Sequence, residues 1–107
     1  MPSGTWTIWL EHDVQIRTRM GLDRRGNVVL FMVQLEIWIG KWEPVVRYDG
    51  AHGEAHIDYI DPKGVTYDKV WLNLRSPYNV GMTRAEQELQ QDYAAHIARY
   101  REQMEAR

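Results

Sequence analysis

Val28-Val-Leu-Phe-Met-Val-Gln-Leu-Glu-Ile-Trp-Ile39, then Gly40-Lys41, then Trp42-Glu-Pro-Val-Val-Arg-Tyr-Asp49 is the stretch that decides the fold. In the first run every odd position (Val29, Phe31, Val33, Leu35, Ile37, Ile39) is apolar, while the even positions pass from Val28, Leu30 and Met32 to Gln34, Glu36 and Trp38. Alternation with period two is a strand with one buried face, and here the odd face is the core. Gly40-Lys41 reads as a two-residue hairpin with glycine at its first central position. Simple opposition then pairs Ile39 with Trp42, Ile37 with Pro44, Leu35 with Val46 and Val33 with Tyr48. On the second face it pairs Glu36 with Val45, Gln34 with Arg47 and Met32 with Asp49. Pro44 has no N–H to donate, so its amide side is expected at solvent or at a bulge.

Outward from this hairpin the same period recurs. Between Thr5 and Met20, Trp6, Ile8, Leu10, His12, Val14, Ile16, Thr18 and Met20 share one face, with a break expected near His12-Asp13. Asp23-Arg-Arg-Gly26 and Asp61-Pro-Lys-Gly64 are turns, with Asp first and Gly last. Ala51–Glu54 is a bend. From Ala55 to Ile60, Ala55, Ile57 and Tyr59 point inward and His56 and Asp58 outward. From Val65 to Leu72, Val70 and Leu72 point inward and Tyr67, Lys69 and Trp71 outward. After a loop over 75–81, Thr83 and Glu86 match a helix capping box. Leu89, Tyr93, Ile97, Tyr100 and Met104, flanked by Ala85 and Ala94, make one helical stripe. The expected fold is α+β, one domain over 1–107. It is an antiparallel meander of about five strands (5–20, 28–39, 42–49, 55–60, 65–72) with one C-terminal helix (83–106) on the odd face of the central strand.

Composition narrows the setting. A chain of 107 residues supports one core, and 44% hydrophobic with 26% charged residues is ordinary for a globular protein. There is no cysteine, so disulfide and thiolate chemistry are excluded, which fits a reducing, cytoplasmic setting. Met1-Pro-Ser-Gly-Thr-Trp6 has no basic segment followed by an apolar run, so no signal peptide is expected, and no membrane partner. A net charge of -2 exerts no global pull on nucleic acid. Five Trp and six Tyr against one Phe favour interfaces, because each joins an apolar body to a polar tip.

The helix leaves the sheet's second face to solvent or a partner. Opposition places Gln34, Arg47, Asp49, His56, Asp58, Tyr67 and Lys69 there, and if Asp49 lies opposite His56, then Arg47 lies opposite Asp58. Trp9, Trp38 and Trp71 flank these groups, and three bare tryptophans imply a cover, either a second copy or a ligand. The first reading is a salt-bridged face that forms a homodimer or binds another protein. The second is metal-independent RNA cleavage. In it His52 and His56 are the acid–base pair, Asp49 and Asp58 orient them, Arg47 or Lys69 holds the phosphate, and the tryptophans stack bases. A third is a metal held by His52 and His56 with Asp49 or Asp58. No cofactor is expected. Elsewhere, His12 reads as a core or edge histidine and His96 as a boundary residue. Arg17, Arg19, Arg24 and Arg25 read as a solvated basic end, and Arg99, Arg101 and Arg107 as complements to the helix dipole.

Val33-Gln-Leu-Glu-Ile-Trp38, Val45-Val-Arg-Tyr-Asp49, Ala51-His-Gly-x-x-His-x-Asp58, Pro62-x-Gly64 and Lys69 together resemble a family of small bacterial proteins of unknown function, over roughly Val14 to Tyr100. The Arg47–His52 block is also loosely similar to toxin components of toxin–antitoxin pairs, which carry Arg-Trp-Asp-Asn-x-x-His-His between strands. This chain has Gly50 in place of that Asn, and three residues separate its histidines. The resemblance implies a bacterial cytosolic protein and admits a toxin role with an antitoxin-like partner. It supplies no established catalytic residue.

Overall fold

Two turns of the same chemistry frame the sheet. Asp23 Oδ1 accepts the amides of Arg25 and Asn27, and Asp61 Oδ1 those of Lys63 and Val65. Each closes with a glycine N–H donated to the aspartate carbonyl. A short carboxylate that bonds its own following amides fixes a tight turn locally, so both were legible in sequence. The computed structural model describes residues 3–50, 53–74 and 77–106.

Six antiparallel strands follow one another across a single sheet: β1 (Ser3–Glu11), β2 (Val14–Leu22), β3 (Val28–Trp38), β4 (Trp42–Gly50), β5 (His56–Ile60) and β6 (Thr66–Trp71). The helix α1 (Asn79–Glu105) lies on one face against β3 and β4. The break expected near His12-Asp13 is a full hairpin turn, which makes six strands of the expected five. His12 lies in that turn and is exposed, not inward. The odd face of β3 is the core: Phe31, Val33, Leu35 and Ile37 are buried with Ile16, Val46, Tyr48 and Leu89.

The hairpin of β3 and β4 departs from simple opposition. Leu35 pairs with Val46, but Glu36 pairs with Pro44 and Trp38 with Trp42, so Val45 is an extra residue. The loop is therefore Ile39-Gly40-Lys41, with Gly40 at φ 90° and Ile39 exposed instead of in the core. Arg99 of the helix donates to the bulged Val45 carbonyl at 2.8 Å and reaches the Ile60 carbonyl at 3.5 Å. It is a tertiary tie between helix and sheet, and the last helical turn carries no basic residue. A second bulge, at Tyr67, turns that ring to the helix side, where Arg99 lies 5.6 Å from its centroid. Tyr67 therefore does not join the opposite face.

The helix starts four residues before its expected beginning. Its N-cap is Tyr78, with no side-chain cap, and the Thr83 hydroxyl donates back to the Asn79 carbonyl. Glu86 accepts instead from Trp6 Nε1 at 2.8 Å and Thr18 Oγ1 at 2.6 Å, joining the helix to β1 and β2. A long-range acceptor with two donors outcompetes a local box. The buried stripe is Met82, Ala85, Leu89 and Tyr100, with Tyr93 and Ile97 half-buried and Ala94 and Met104 exposed. Because α1 sits over β3 and β4, the β6 edge stays open: Val70, expected inward, is exposed, and Leu72 is half-buried. No helix among the described residues is long and apolar enough to cross a membrane.

Leu89→Ala removes a fully buried side chain between helix and sheet. It should cost about 2–5 kcal/mol in urea denaturation. His96 stands against the Tyr59 ring, and burial first, then Arg99, holds its imidazole below the usual range against an opposing pull from Asp92. The unfolded chain then binds a proton that the folded chain refuses, so stability should fall as pH drops through about 6.5 and level off below the folded value. Thermal melts from neutral to acid pH should show this decline in the parent and a shallower one in His96→Gln.

Candidate functional site: the sheet face opposite the helix

Strand register lays this face out in rows. One row runs Thr5, Arg19, Met32, Asp49, His56, Trp71 across β1 to β6. The next runs Thr7, Arg17, Gln34, Arg47, Asp58, Lys69. A third holds Trp9, Gln15 and Glu36. The expected oppositions of Asp49 with His56 and Arg47 with Asp58 are both present. His52 lies outside the described residues.

The centre of the face is a carboxylate that strand alternation alone does not single out. Glu36 is only 3% exposed, although it lies on the face away from the helix. Its Oε1 accepts from Gln15 Nε2 at 2.7 Å, and its Oε2 accepts from Gln34 Nε2 and faces Arg17 Nη2 at 3.0 Å. Gln34 Oε1 in turn accepts from Arg47 Nε at 2.6 Å. Buried carboxylates persist only when their lone pairs are satisfied, and three donors do so here. Arg17 is thus committed to Glu36 and is not a free basic end. A charge set midway along the most apolar strand was the available signal.

Aromatic rings explain the burial. The bulge at Val45 places Trp42 beside Trp38, with ring centroids 5.5 Å apart, and Trp42 also meets Trp9 at 5.7 Å. In a flat sheet β1 and β4 lie about 14 Å apart, three strand spacings. The two rings therefore reach toward each other across β2 and β3, above the row of Gln15 and Glu36. Trp9 and Trp38 remain 63% and 49% exposed on their outer sides. Trp42, which simple opposition puts on the core face, completes the cluster. Trp71 stands apart at the β6 edge, packed edge-on to His56 at 5.3 Å with Lys69 5.5 Å from its ring. The tryptophans thus form one three-ring cluster and one isolated ring, not a circle.

At the β4–β6 end, contacts differ from the cross-strand ion pairs expected. Arg47 bonds Gln34, not Asp58. Asp58 Oδ2 faces His56 Nε2 at 3.3 Å along the same strand, and Asp58 Oδ1 lies 3.8 Å from Lys69 Nζ. Gly50 sits where β4 meets Phe31 and Tyr78: a Cβ there would lie 2.5 Å from the Phe31 ring and 3.2 Å from the Tyr78 ring. The Asn of the toxin pattern does not fit this packing.

A family model described as a domain of unknown function, DUF7718, matches residues 1–106. The chain belongs to the DUF7718 family. No curated protein and no solved structure matches this DUF7718 chain.

Glu36→Ala should leave Gln15 and Gln34 with buried donors and no acceptor. We expect a loss of about 3 kcal/mol in chemical denaturation. Arg17→Ala should cost less, because the Arg17 side chain is 43% exposed and water can serve its end of the pair.

Proposed function

We propose that this protein is a binding module that uses the sheet face opposite its helix to self-associate, as a homodimer. The observation that supports this is the Trp9–Trp42–Trp38 cluster, exposed on its outer side and held in place over a satisfied ionic network. Rigid aromatic rings beside polar groups are the make-up of protein interfaces. The face carries both signs, with Arg19, Arg47 and Lys69 near Asp49 and Asp58. A two-fold copy can therefore set cations against anions. A neighbour-encoded protein, antitoxin-like in the toxin reading, would use the same surface.

The alternative is a cytoplasmic ribonuclease, and its support is the placement of His56 beside Asp58 with Arg47 and Lys69 in the adjoining row. Among the described residues His56 is the only histidine on this face, and its expected acid–base partner, His52, lies outside them. Arg17 and Arg47 also spend bonds on Glu36 and Gln34, so the face is poor in free cations for phosphate.

Sedimentation velocity at micromolar concentration should show a dimer. Trp9→Ala combined with Trp38→Ala should weaken association at least tenfold, since both rings present exposed area on this face. A monomeric parent would overturn self-association. Cleavage of total RNA by the parent but not by His56→Ala would put the ribonuclease in its place.

A further inference from the structure

Asp49, His56 and Asp58 bring one ligand atom each to within 4.8 Å of one another. The sheet imposes this arrangement. His56 and Asp58 are two apart on β5 and so share a face, and Asp49 is the direct cross-strand neighbour of His56. All three therefore stand on rigid backbone.

The bonding inside this group is incomplete. The Asp58 side chain is only 10% exposed, yet among the described residues its Oδ1 has no hydrogen bond, and buried His56 Nδ1 has none either. Asp49 makes no hydrogen bond or ion pair to any described residue. Two carboxylates facing each other this closely need a cation between them. Lys69 Nζ stands off at 3.8 Å from Asp58 Oδ1, beyond hydrogen-bond range, and its side chain is 44% exposed and can swing away.

We propose that Asp49, His56 and Asp58 bind one divalent transition-metal ion of the zinc type. The inference is independent of the self-association reading. Two carboxylates and one imidazole nitrogen match a dication with mixed N/O preference. A tetrahedral ion with bonds of about 2.0–2.2 Å holds its ligand atoms about 3.4 Å apart, so the three side chains close inward by small rotations. Water fills the remaining position. The Trp71 ring against His56 shields the imidazole from bulk solvent and limits its rotation.

The test is calorimetric titration of the chelator-treated full chain with zinc chloride, with metal content measured after dialysis. One ion per chain is expected. Asp58→Asn and His56→Gln should each weaken uptake at least tenfold. Lys69→Gln should tighten it several-fold, because it removes the competing ammonium and leaves every ligand in place. That gain is not expected of a merely structural ion-pair network. Should Asp58→Asn fail to fold, His56→Gln and Lys69→Gln carry the comparison. No stoichiometric uptake by the parent, uptake undiminished in the variants that fold, or loss of binding in Lys69→Gln would each overturn the site.

Discussion

The bulge at Val45 is the constraint on which both faces of this sheet depend. Pro44 cannot donate to the ladder, and one extra residue on β4 lets the pairing of Val33 with Tyr48 and Leu35 with Val46 coexist with that of Trp38 with Trp42. A bulge disrupts ladder bonding locally, and the Val45 carbonyl takes Arg99 as a partner instead. Arg99 also lies against the Tyr59 ring and the Tyr67 ring of the second bulge. One long helical side chain therefore accommodates two irregularities in the sheet. Without the first bulge, Trp42 would face the helix, and the aromatic cluster over Glu36 would not exist.

Glu36 gives the opposite face its character. A carboxylate amid an apolar strand is costly unless donors surround it, and those donors come from one neighbouring strand, β2, and its own. The result is a stripe of side chains locked to one another from Gln15 on β2 to Arg47 on β4. Rings resting on such a stripe are held in place, which favours binding by lowering the ordering cost. At the far end the bonding runs out, and Asp49, His56 and Asp58 face one another with open valences. The same face thus holds a hydrogen-bonded stripe from β2 to β4 and a more loosely bonded group on β4 and β5.

The two sides also differ in how they hold the helix. Its N-terminal half is tied by polar bonds to β1, β2 and β4 through Glu86 and Glu88, the latter accepting from the Tyr48 hydroxyl at 2.7 Å. Burial and that carboxylate together push the Tyr48 phenol well above its usual range, so it remains a donor. Its C-terminal half is tied by Arg99 to β4 and β5. These ties fix the crossing of the helix over the middle of the sheet and leave β6 uncovered.

Local patterning determined a good deal by itself. Period-two runs marked the strands, Asp-to-Gly turns set their ends, and a spaced apolar stripe marked the helix, because each is written in residues close together in the chain. Alternation also tied the two β4–β5 oppositions together, since Asp49 opposite His56 entails Arg47 opposite Asp58, and the assembled sheet has both. Tertiary structure decided the rest. Pro44 signalled a possible bulge in β4, but Arg99, more than thirty residues from either site, packs on both the Val45 and Tyr67 bulges, which moved Trp42 onto the open face and Tyr67 off it. The Thr83 box lost to a helix start at Asn79 because Glu86 found donors on β1 and β2. Alternation put Glu36 on the second face, and it is a buried acceptor there because only the assembled strands bring Gln15, Arg17 and Gln34 around it. Alternation tells which face a side chain takes, and only the packed neighbours decide what that face means.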